Sequence, residues 1–303
     1  MKILAYCLLP SLALFGMLGQ AQSAPSAPSP CPSKGASIAI NNFSSLNIQG
    51  PINVYIDATQ AKPSLQILGD PKLVSNVTWK EKNHTLYLST KLFYQARHGE
   101  RLTIKVNAPP QQITQILFHS NASLFGKGLS GSLSLQAEGA GQIDLYTNKL
   151  NLKSLDSHGE GKISLHNIHS RGLSIKSYHT HDIMIEGEVA LNALDFIGNG
   201  NLLVYWVNSP YLKINAAGKG KIVLAGAVKT LDTHLSQRIQ LQAEQLYAQQ
   251  GFIKTRQQAQ AQVKVKNKLM AFAKDSSIIY YDLPVNFISI YTQDNGLVLN
   301  RTN

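Results

Sequence analysis

The chain has 303 residues, of which 44% are hydrophobic and 15% charged, and its formal net charge is +11. A chain of this length and apolar content can bury a core, so the composition excludes a disordered tail, a collagen and a disulfide-stapled miniprotein. The basic charge favours anionic partners, and the length leaves open one large domain or two smaller ones.

Residues 1–24 have the pattern of a signal peptide. Lys2 gives a short basic start, residues 3–18 form an apolar run, and small residues follow, with cleavage after Ala21 or Ser23 as the alternatives. An uncleaved membrane anchor is the alternative to a cleaved leader. We therefore predict an exported protein, in the periplasm, on the outer-membrane surface or outside the cell, with no transmembrane segment after cleavage.

Residues 25–36 form a Pro/Ser-rich segment that is typical of a flexible linker. Cys31 lies in this linker and is the only thiol left once the leader, which contains Cys7, is removed. No internal disulfide is then expected. We expect an inert exposed thiol, with a free reactive thiol or an intermolecular bond as the alternatives.

From residue 114 onward the sequence repeats with a period of about 20 residues. A Gly-x-Gly pair marks each unit, and His179-Thr180-His181 takes its place in one of them. Aliphatic residues lie four positions before, four positions after and six positions after the first residue of each pair. In the first unit, where that residue is Gly139, they are Leu135, Ile143 and Leu145. The glycine pairs are Gly139/Gly141, Gly159/Gly161, Gly198/Gly200 and Gly218/Gly220.

This repeat predicts an all-β fold. Ile-x-Leu alternation is typical of a strand with one buried face, and glycines between two such strands let the chain turn a corner. A unit this short cannot stand alone and must stack on its neighbours. We predict a right-handed parallel β-helix, or β-solenoid, over residues 114–285, with coils of about 20 residues. Leu231, Ile239 and Leu241 continue the frame after a coil shortened to about 17 residues.

The segments on either side lack the repeat. Residues 37–113 contain strand-like stretches separated by turn residues, and they predict an N-terminal β section that caps the solenoid and covers its open strand edges. Residues 291–303 are predicted to be a C-terminal tail.

The order of these stretches resembles a known bacterial family. The pieces that carry the resemblance are Phe43-x-x-Leu46-x-Ile48-x-Gly50-Pro51-Ile52-Asn53-Val54-Tyr55-Ile56, Leu65-x-Ile67-x-Gly69-Asp70, Leu86-Tyr87-Leu88, Leu102-Thr103-Ile104-Lys105-Val106 and the Gly-x-Gly-x-Ile coils. The closing segment, residues 278–284, is similar to the family's terminal Ile-x-Tyr-x-Gly-x-Pro, with Asp282 in place of the glycine. The family is the "putative auto-transporter adhesin, head GIN domain" family. The resemblance spans about residues 37–290 and implies an exported β-helical adhesin head.

Five histidines fall within two predicted coils: His158, His166, His169, His179 and His181. Stacking of coils is expected to place His158 near Tyr178. His179 and His181 would project from the same side of an extended strand, which makes them the candidate metal ligands. No Cys or carboxylate at ligand spacing completes a set, so we interpret the cluster as exposed turn and ladder histidines and predict no metal site.

A carbohydrate-active β-helix enzyme would need a group of carboxylates, and the acids closest together are Asp182, Glu186 and Glu188. The sequence contains no Gly-x-Ser-x-Gly elbow and no P-loop, and its Gly-x-Gly pairs recur between strands instead of preceding a helix. We predict a non-enzyme with no catalytic residues and no cofactor, and the carbohydrate-active enzyme is the alternative.

The basic residues are scattered, with a concentration over residues 254–274. We expect a non-enzymatic adhesin or envelope-associated protein that uses exposed sheet faces to bind an anionic surface polysaccharide, a matrix polymer or an envelope protein. Nucleic acid is not expected, because aromatic residues for base stacking are not interleaved with the basic ones. A purely structural envelope protein is a further alternative, and the ligand-binding residues and oligomeric state stay open.

Overall fold

The structure is a computed structural model that describes residues 37–90 and 102–301. The predicted signal peptide (1–24) and the linker (25–36) with Cys31 lie outside the described residues. Within those residues, no helix has the length and apolar character needed to cross a membrane.

Strands make up almost all of the regular structure. The N-terminal elements are β1 (Ser37–Ala39), β2 (Ser45–Gln49), β3 (Asn53–Asp57), β4 (Ser64–Leu68), α1 (Pro71–Val74), β5 (Val77–Lys82), β6 (Thr85–Thr90), β7 (Thr103–Asn107), β8 (Gln115–His119) and β9 (Ser123–Leu129). The longer strands are β10 (Ser132–Gly139), β11 (Gln142–Gly159), β12 (Lys162–His179), β13 (Asp182–Gly198), β14 (Asn201–Gly218), β15 (Lys221–Gln237), β16 (Gln240–Thr255) and β17 (Gln260–Lys274). The last strands are β18 (Ile278–Tyr281), β19 (Phe287–Gln293) and β20 (Leu297–Asn300).

The long strands stack as the coils of a parallel β-solenoid of about ten turns. Each strand pairs in parallel with the next, so that Ile143 lies beside Ile163 and Ile163 beside Ile183. These residues are at most 2% exposed, and removing one such side chain from water contributes roughly 1.5–3 kcal/mol. The predicted all-β solenoid is confirmed.

Each coil has three sides. In β11, irregularities of register after Tyr146 and after Leu150 divide the strand, and the Gly-x-Gly corner closes the coil. We name as side A residues 142–146 and the residues stacked on them, as side B those of 150–152, and as side C those of 154–158. Alternate residues of each side face the interior, and the residues between them form rows on the outer surface.

The corner between side C and side A leaves no room for most side chains. A Cβ atom on Gly159, whose φ is +134°, would collide with the carbonyl oxygen of Gly139 in the preceding coil. Other residues at this corner keep a left-handed backbone without being glycine, as His179 (φ +82°) and Gln237 (φ +64°) do. The Gly-x-Gly pairs are therefore corner residues, as the repeat predicted.

The coil after Gly218 has ordinary length, and its predicted shortening is wrong. Ile222 pairs with Leu241, whereas the sequence frame placed Ile239 opposite Ile222. Gln237 takes the glycine position opposite Gly218. Because alternation has a period of two, a two-residue shift keeps the same residues facing inward, so the apolar pattern does not distinguish the two registers.

The N-terminal section contributes coils of its own to the stack. β2 pairs in parallel with β8 on one edge and with β6 on the other, and β3 pairs in the same way with β9 and β7. The order of these coils in space is not their order in the chain, and Leu46 therefore lies beside both Leu86 and Ile116. This rearrangement removes the 20-residue period from residues 37–113, which is why the sequence pattern predicts a separate N-terminal section there.

The residues predicted to be a C-terminal tail are mostly strand. β19 pairs in parallel with β17, and β20 pairs in parallel with β18. Residues 291–300 therefore complete the last coil of the solenoid instead of forming a separate tail.

We predict that Gly159→Ala lowers the free energy of unfolding by about 2 kcal/mol or more, because the new methyl group meets the backbone of Gly139 and alanine must adopt a left-handed φ. Gly172→Ala is the matched control, since a Cβ atom there would meet only the side-chain amide of Asn192, at 3.3 Å. Equilibrium chemical denaturation measures both variants. Equal stabilities would contradict the close approach at the corner.

Candidate ligand-binding side of the solenoid

The two candidate metal ligands lie at one corner of the solenoid, with His179 on the outer surface and His181 in the interior. His179 and His181 occupy a Gly-x-Gly position, and His179 pairs with Gly159 of the preceding coil. His179 is exposed, whereas His181 is only 2% exposed, and the strand is interrupted between them. They do not project from one face as the extended alternation predicted. In the part of the chain that the structure describes, no three His, Cys, Asp or Glu side chains are grouped to hold a metal ion.

Burial changes the acid–base behaviour of His181. Burial lowers the pKa of its imidazole from the ordinary value of 6.5, although a hydrogen bond with the backbone of Gly139 opposes the shift. The Nδ1 atom of His181 has no hydrogen-bond partner. The ring is therefore neutral at neutral pH and is part of the core.

Other histidines of the cluster lie on the outer surface beside carboxylates. His158, on side C, stacks on Tyr178 with 4.7 Å between ring centroids, and its Nε2 atom lies 2.9 Å from Oδ1 of Asp156. Coil stacking predicted the contact with Tyr178, and this prediction is confirmed. On side B, Nδ1 of His169 lies 3.5 Å from Oε2 of Glu188. These are contacts between outward residues of successive coils or of one strand.

The three carboxylates of the enzyme alternative do not share one site. Asp182 begins side A and accepts hydrogen bonds from the backbone and side-chain nitrogens of Asn201, at 2.8 and 2.9 Å. Glu186 ends side A, with its Oε2 atom 2.7 Å from Nδ1 of His166, and Glu188 follows on side B. Four residues of extended strand place the Cα atoms of Asp182 and Glu186 about 13 Å apart. The two carboxyl groups of a glycosidase lie roughly 5–9.5 Å apart.

The C-terminal coils place lysines and aromatic residues next to one another on side C. Side C is formed there by parts of β16, β17 and β19, and it begins two residues earlier than in β11, because Gln250, Lys268 and Phe287 pair in unbroken register with the residues that follow them. Ile253 and Ala271 face the interior and are buried, so the residues that alternate with them face outward. We name these outward residues the basic-aromatic patch: Phe252, Lys254, Lys268, Met270, Phe272, Phe287 and Tyr291.

Within the basic-aromatic patch, an ammonium group lies against aromatic faces. Nζ of Lys268 lies 5.8 Å from the ring centroid of Phe252 and 5.9 Å from that of Phe287. The rings of Phe272 and Tyr291 stack with 5.1 Å between centroids and 7° between planes. Neighbouring coils thus form a continuous surface of ring faces with cationic groups among them.

The lysines of the patch are available to an anionic ligand. Among the described residues, no carboxylate lies within ion-pair distance of Lys254 or Lys268. The sequence indicated a basic concentration over residues 254–274 but no interleaved aromatic residues. The interleaving arises because stacking brings Phe272 of the next coil beside Lys254, so the coil register is the signal that finds it.

The N-terminal half of side C has the opposite charge. Its outward residues include Glu138, Asp156, Lys176 and Asp195, which lie in successive coils. A hydrogen bond of 2.7 Å with Nδ1 of His119 lowers the pKa of the Glu138 carboxyl and holds it ionised. The excess of basic residues on side C therefore lies in its C-terminal coils.

A family model described as "Putative auto-transporter adhesin, head GIN domain" matches residues 42–189 and 146–282. The chain belongs to this family. The resemblance expected from the sequence is thus confirmed, and the family is one of adhesin-like β-helical proteins that are exported or lie at the cell surface.

Three solved structures similar to this adhesin-like chain come from Parabacteroides, and the first of them shows the same fold. A "putative adhesin" of Parabacteroides distasonis ATCC 8503 is 15% identical, with 88% of this chain and 96% of that chain covered and a TM-score of 0.53. A "putative adhesin" of Parabacteroides merdae ATCC 43184 is 17% identical, with 88% and 95% covered and a TM-score of 0.46. A "putative lipid binding protein" of P. distasonis is 14% identical, with 88% and 96% covered and a TM-score of 0.47. No curated protein matches the sequence.

His181→Gly is predicted to reduce the loss of stability on acidification. Because the pKa of His181 is lower in the folded chain than its ordinary 6.5, the unfolded chain binds a proton first as the pH falls, and stability is lost from about pH 6.5 downward. The loss is at most about 1.4 kcal/mol for each pH unit. Unfolding free energies at about pH 7.5 and about pH 5.5 measure it. His179→Gly, at the exposed position, is the control, and an equal acid sensitivity in His181→Gly and the unchanged chain would contradict the assignment.

Proposed function

We propose that this chain is a non-enzymatic, exported adhesin-like protein that binds an anionic polysaccharide through the basic-aromatic patch on side C. The observation that carries the proposal is the contact of Lys268 with the rings of Phe252 and Phe287, next to the stacked pair of Phe272 and Tyr291. The family and the predicted leader support export.

The chemistry of the patch suits an acidic sugar polymer. An aromatic ring packs well against the apolar face of a sugar ring, while the ammonium groups pair with carboxylate or sulfate groups. Coils stack about 4.8 Å apart, so the patch presents its groups at regular intervals, as a repetitive ligand requires. The surface is extended and its lysines lack carboxylate partners among the described residues, which favours a polymer over a small molecule.

The separation of the carboxylates supports a binding protein over an enzyme. The Asp182 carboxylate accepts a hydrogen bond from Asn201. The carboxylates of Glu186 and Glu188 contact the imidazole rings of His166 and His169, respectively. A pair of free carboxyl groups across a cleft is what the alternative would need.

Replacing both Lys254 and Lys268 by Gln is predicted to weaken binding to immobilised heparin, the probe polymer, by about fivefold at low salt. Phe272→Ala is predicted to weaken it by a similar factor of about five, and this effect persists at high salt because ring contacts are not screened. Lys176→Gln is the matched control, since Lys176 lies on side C but in its N-terminal half. Biosensor binding at two salt concentrations measures all the variants, with neutral dextran as the uncharged polymer.

Three results would overturn the proposal. If Lys176→Gln weakens binding as much as the patch variants, attraction is due to overall charge and not to the patch. If single-stranded DNA of matched length binds more tightly than heparin, the patch is a nucleic-acid site. If new reducing ends appear on heparin or polygalacturonate during incubation, the chain is an enzyme.

A further inference from the structure

The two ends of the solenoid differ in the direction of the strands at their edges. At the N-terminal end, β5 pairs antiparallel with β6 and β4 pairs antiparallel with β7. At the C-terminal end, β19 pairs with β17, and no strand of the described chain pairs with its other edge. A seven-residue strand edge is therefore open at one end of the stack.

The open end is also apolar. The last coil contains six of the fourteen large hydrophobic residues that are exposed in the described chain: Leu283, Phe287, Ile290, Tyr291, Leu297 and Leu299. Ile290 pairs with the buried Ala271 and continues an interior column, yet it is 46% exposed because no further coil formed by residues 37–90 or 102–301 covers it. Residues 283–300 include a single charged side chain, that of Asp294. An open, apolar and nearly uncharged strand edge is a template for pairing with another strand.

We propose that this end is the interface of a two-fold dimer with a second copy of the chain, in which the two β19 strands pair antiparallel. A strand related to its copy by a two-fold axis across its open edge is its own antiparallel partner. Head-to-tail stacking, which would produce a filament, would bring β19 against β1 and β5 of the next chain, and these strands pair antiparallel with their own neighbours and do not continue the parallel coil. β19 carries no charged side chain, so the two strands that would meet place no like charges in contact, although each chain has a formal charge of +11 and Lys268 and Lys254 lie one and two coils behind β19.

The backbone of β19 has donors directed at the open edge. The N–H of Asn286 donates to the carbonyl oxygen of Lys266, at 3.1 Å, and so faces β17. Because the direction of the N–H groups alternates along a strand, those of Ile288 and Ile290 also face β17. The N–H groups of the intervening residues face the open edge: Phe287, Ser289 and Tyr291.

This dimer would join the two copies of side C into one continuous sheet. A two-fold axis perpendicular to side C keeps the outer surfaces of both copies on the same side, so the two basic-aromatic patches would meet at the interface. A polymer that spans both patches gains from the high effective concentration of the second one. This last consequence rests on the proposed function, whereas the dimer itself does not.

Sedimentation of the full chain over a concentration series tests the dimer, with Ser289→Pro as the disrupting variant. Proline removes an N–H that faces the open edge and leaves the hydrogen bonds to β17 in place, so the chain folds but its edge is blocked. Ser289→Thr is the matched control because it keeps the N–H. We expect Ser289→Pro to raise the dimer dissociation constant by about tenfold or more and Ser289→Thr to leave it within about twofold.

A chain that sediments as a monomer at every concentration, or as filaments, would overturn the dimer. Equal dissociation constants for the proline and threonine variants would overturn the role of β19. Far-UV circular dichroism shows whether Ser289→Pro retains the β fold. If it does not, Ile290→Lys places a charge at the centre of the apolar end, and a dimer that persists in that variant contradicts the proposal. If the unchanged chain forms the dimer but does not bind heparin, that result counts against the proposed function alone.

Discussion

The close stacking of one coil on the next is the constraint on which the rest of the structure depends. Parallel pairing holds successive backbones about 4.8 Å apart, and at the corner between sides C and A they come closer than a side chain allows. From Gly139 to Asp275, this corner position is held in each coil by glycine or by a residue with a left-handed backbone, such as His179 or Gln237. Because each corner is held above the one before it, the residues of successive coils keep to fixed columns inside and fixed rows outside.

The fixed rows explain why the surface chemistry is assembled from distant parts of the chain. Lys254, Phe272 and Tyr291 belong to three different coils, yet they lie in one row of side C. The same rows carry acidic residues in the N-terminal half, so one side of the solenoid has two regions of opposite charge. The proposed binding patch and the open edge of β19 both lie at the C-terminal end, so the proposed ligand and the proposed dimer involve the same coils.

The sequence was most informative where two signals agreed. From Leu135 to Leu224 the apolar alternation and the Gly-x-Gly pairs together determine the coil. Beyond Gly218 the glycine is replaced by Gln237, and alternation alone leaves a two-residue ambiguity of register. The sequence pattern does not predict the basic-aromatic patch for the same reason, because its aromatic and basic residues become neighbours only in the correct register. The sequence pattern predicts that His179 and His181 are alternate residues of an extended strand, but the left-handed φ at His179 turns the chain between them.

Hydroxyl-radical footprinting of the full chain, with and without heparin, is the most direct test of the proposed binding at the basic-aromatic patch. Oxidation reports the exposure of individual side chains, and the chain has exposed reactive residues both inside and outside the basic-aromatic patch. We predict that heparin reduces the oxidation of Met270 and Tyr291 and leaves that of Tyr146 and Trp206 unchanged. Protection of Tyr146 and Trp206, with Met270 and Tyr291 oxidised as in the free chain, would contradict binding at the patch.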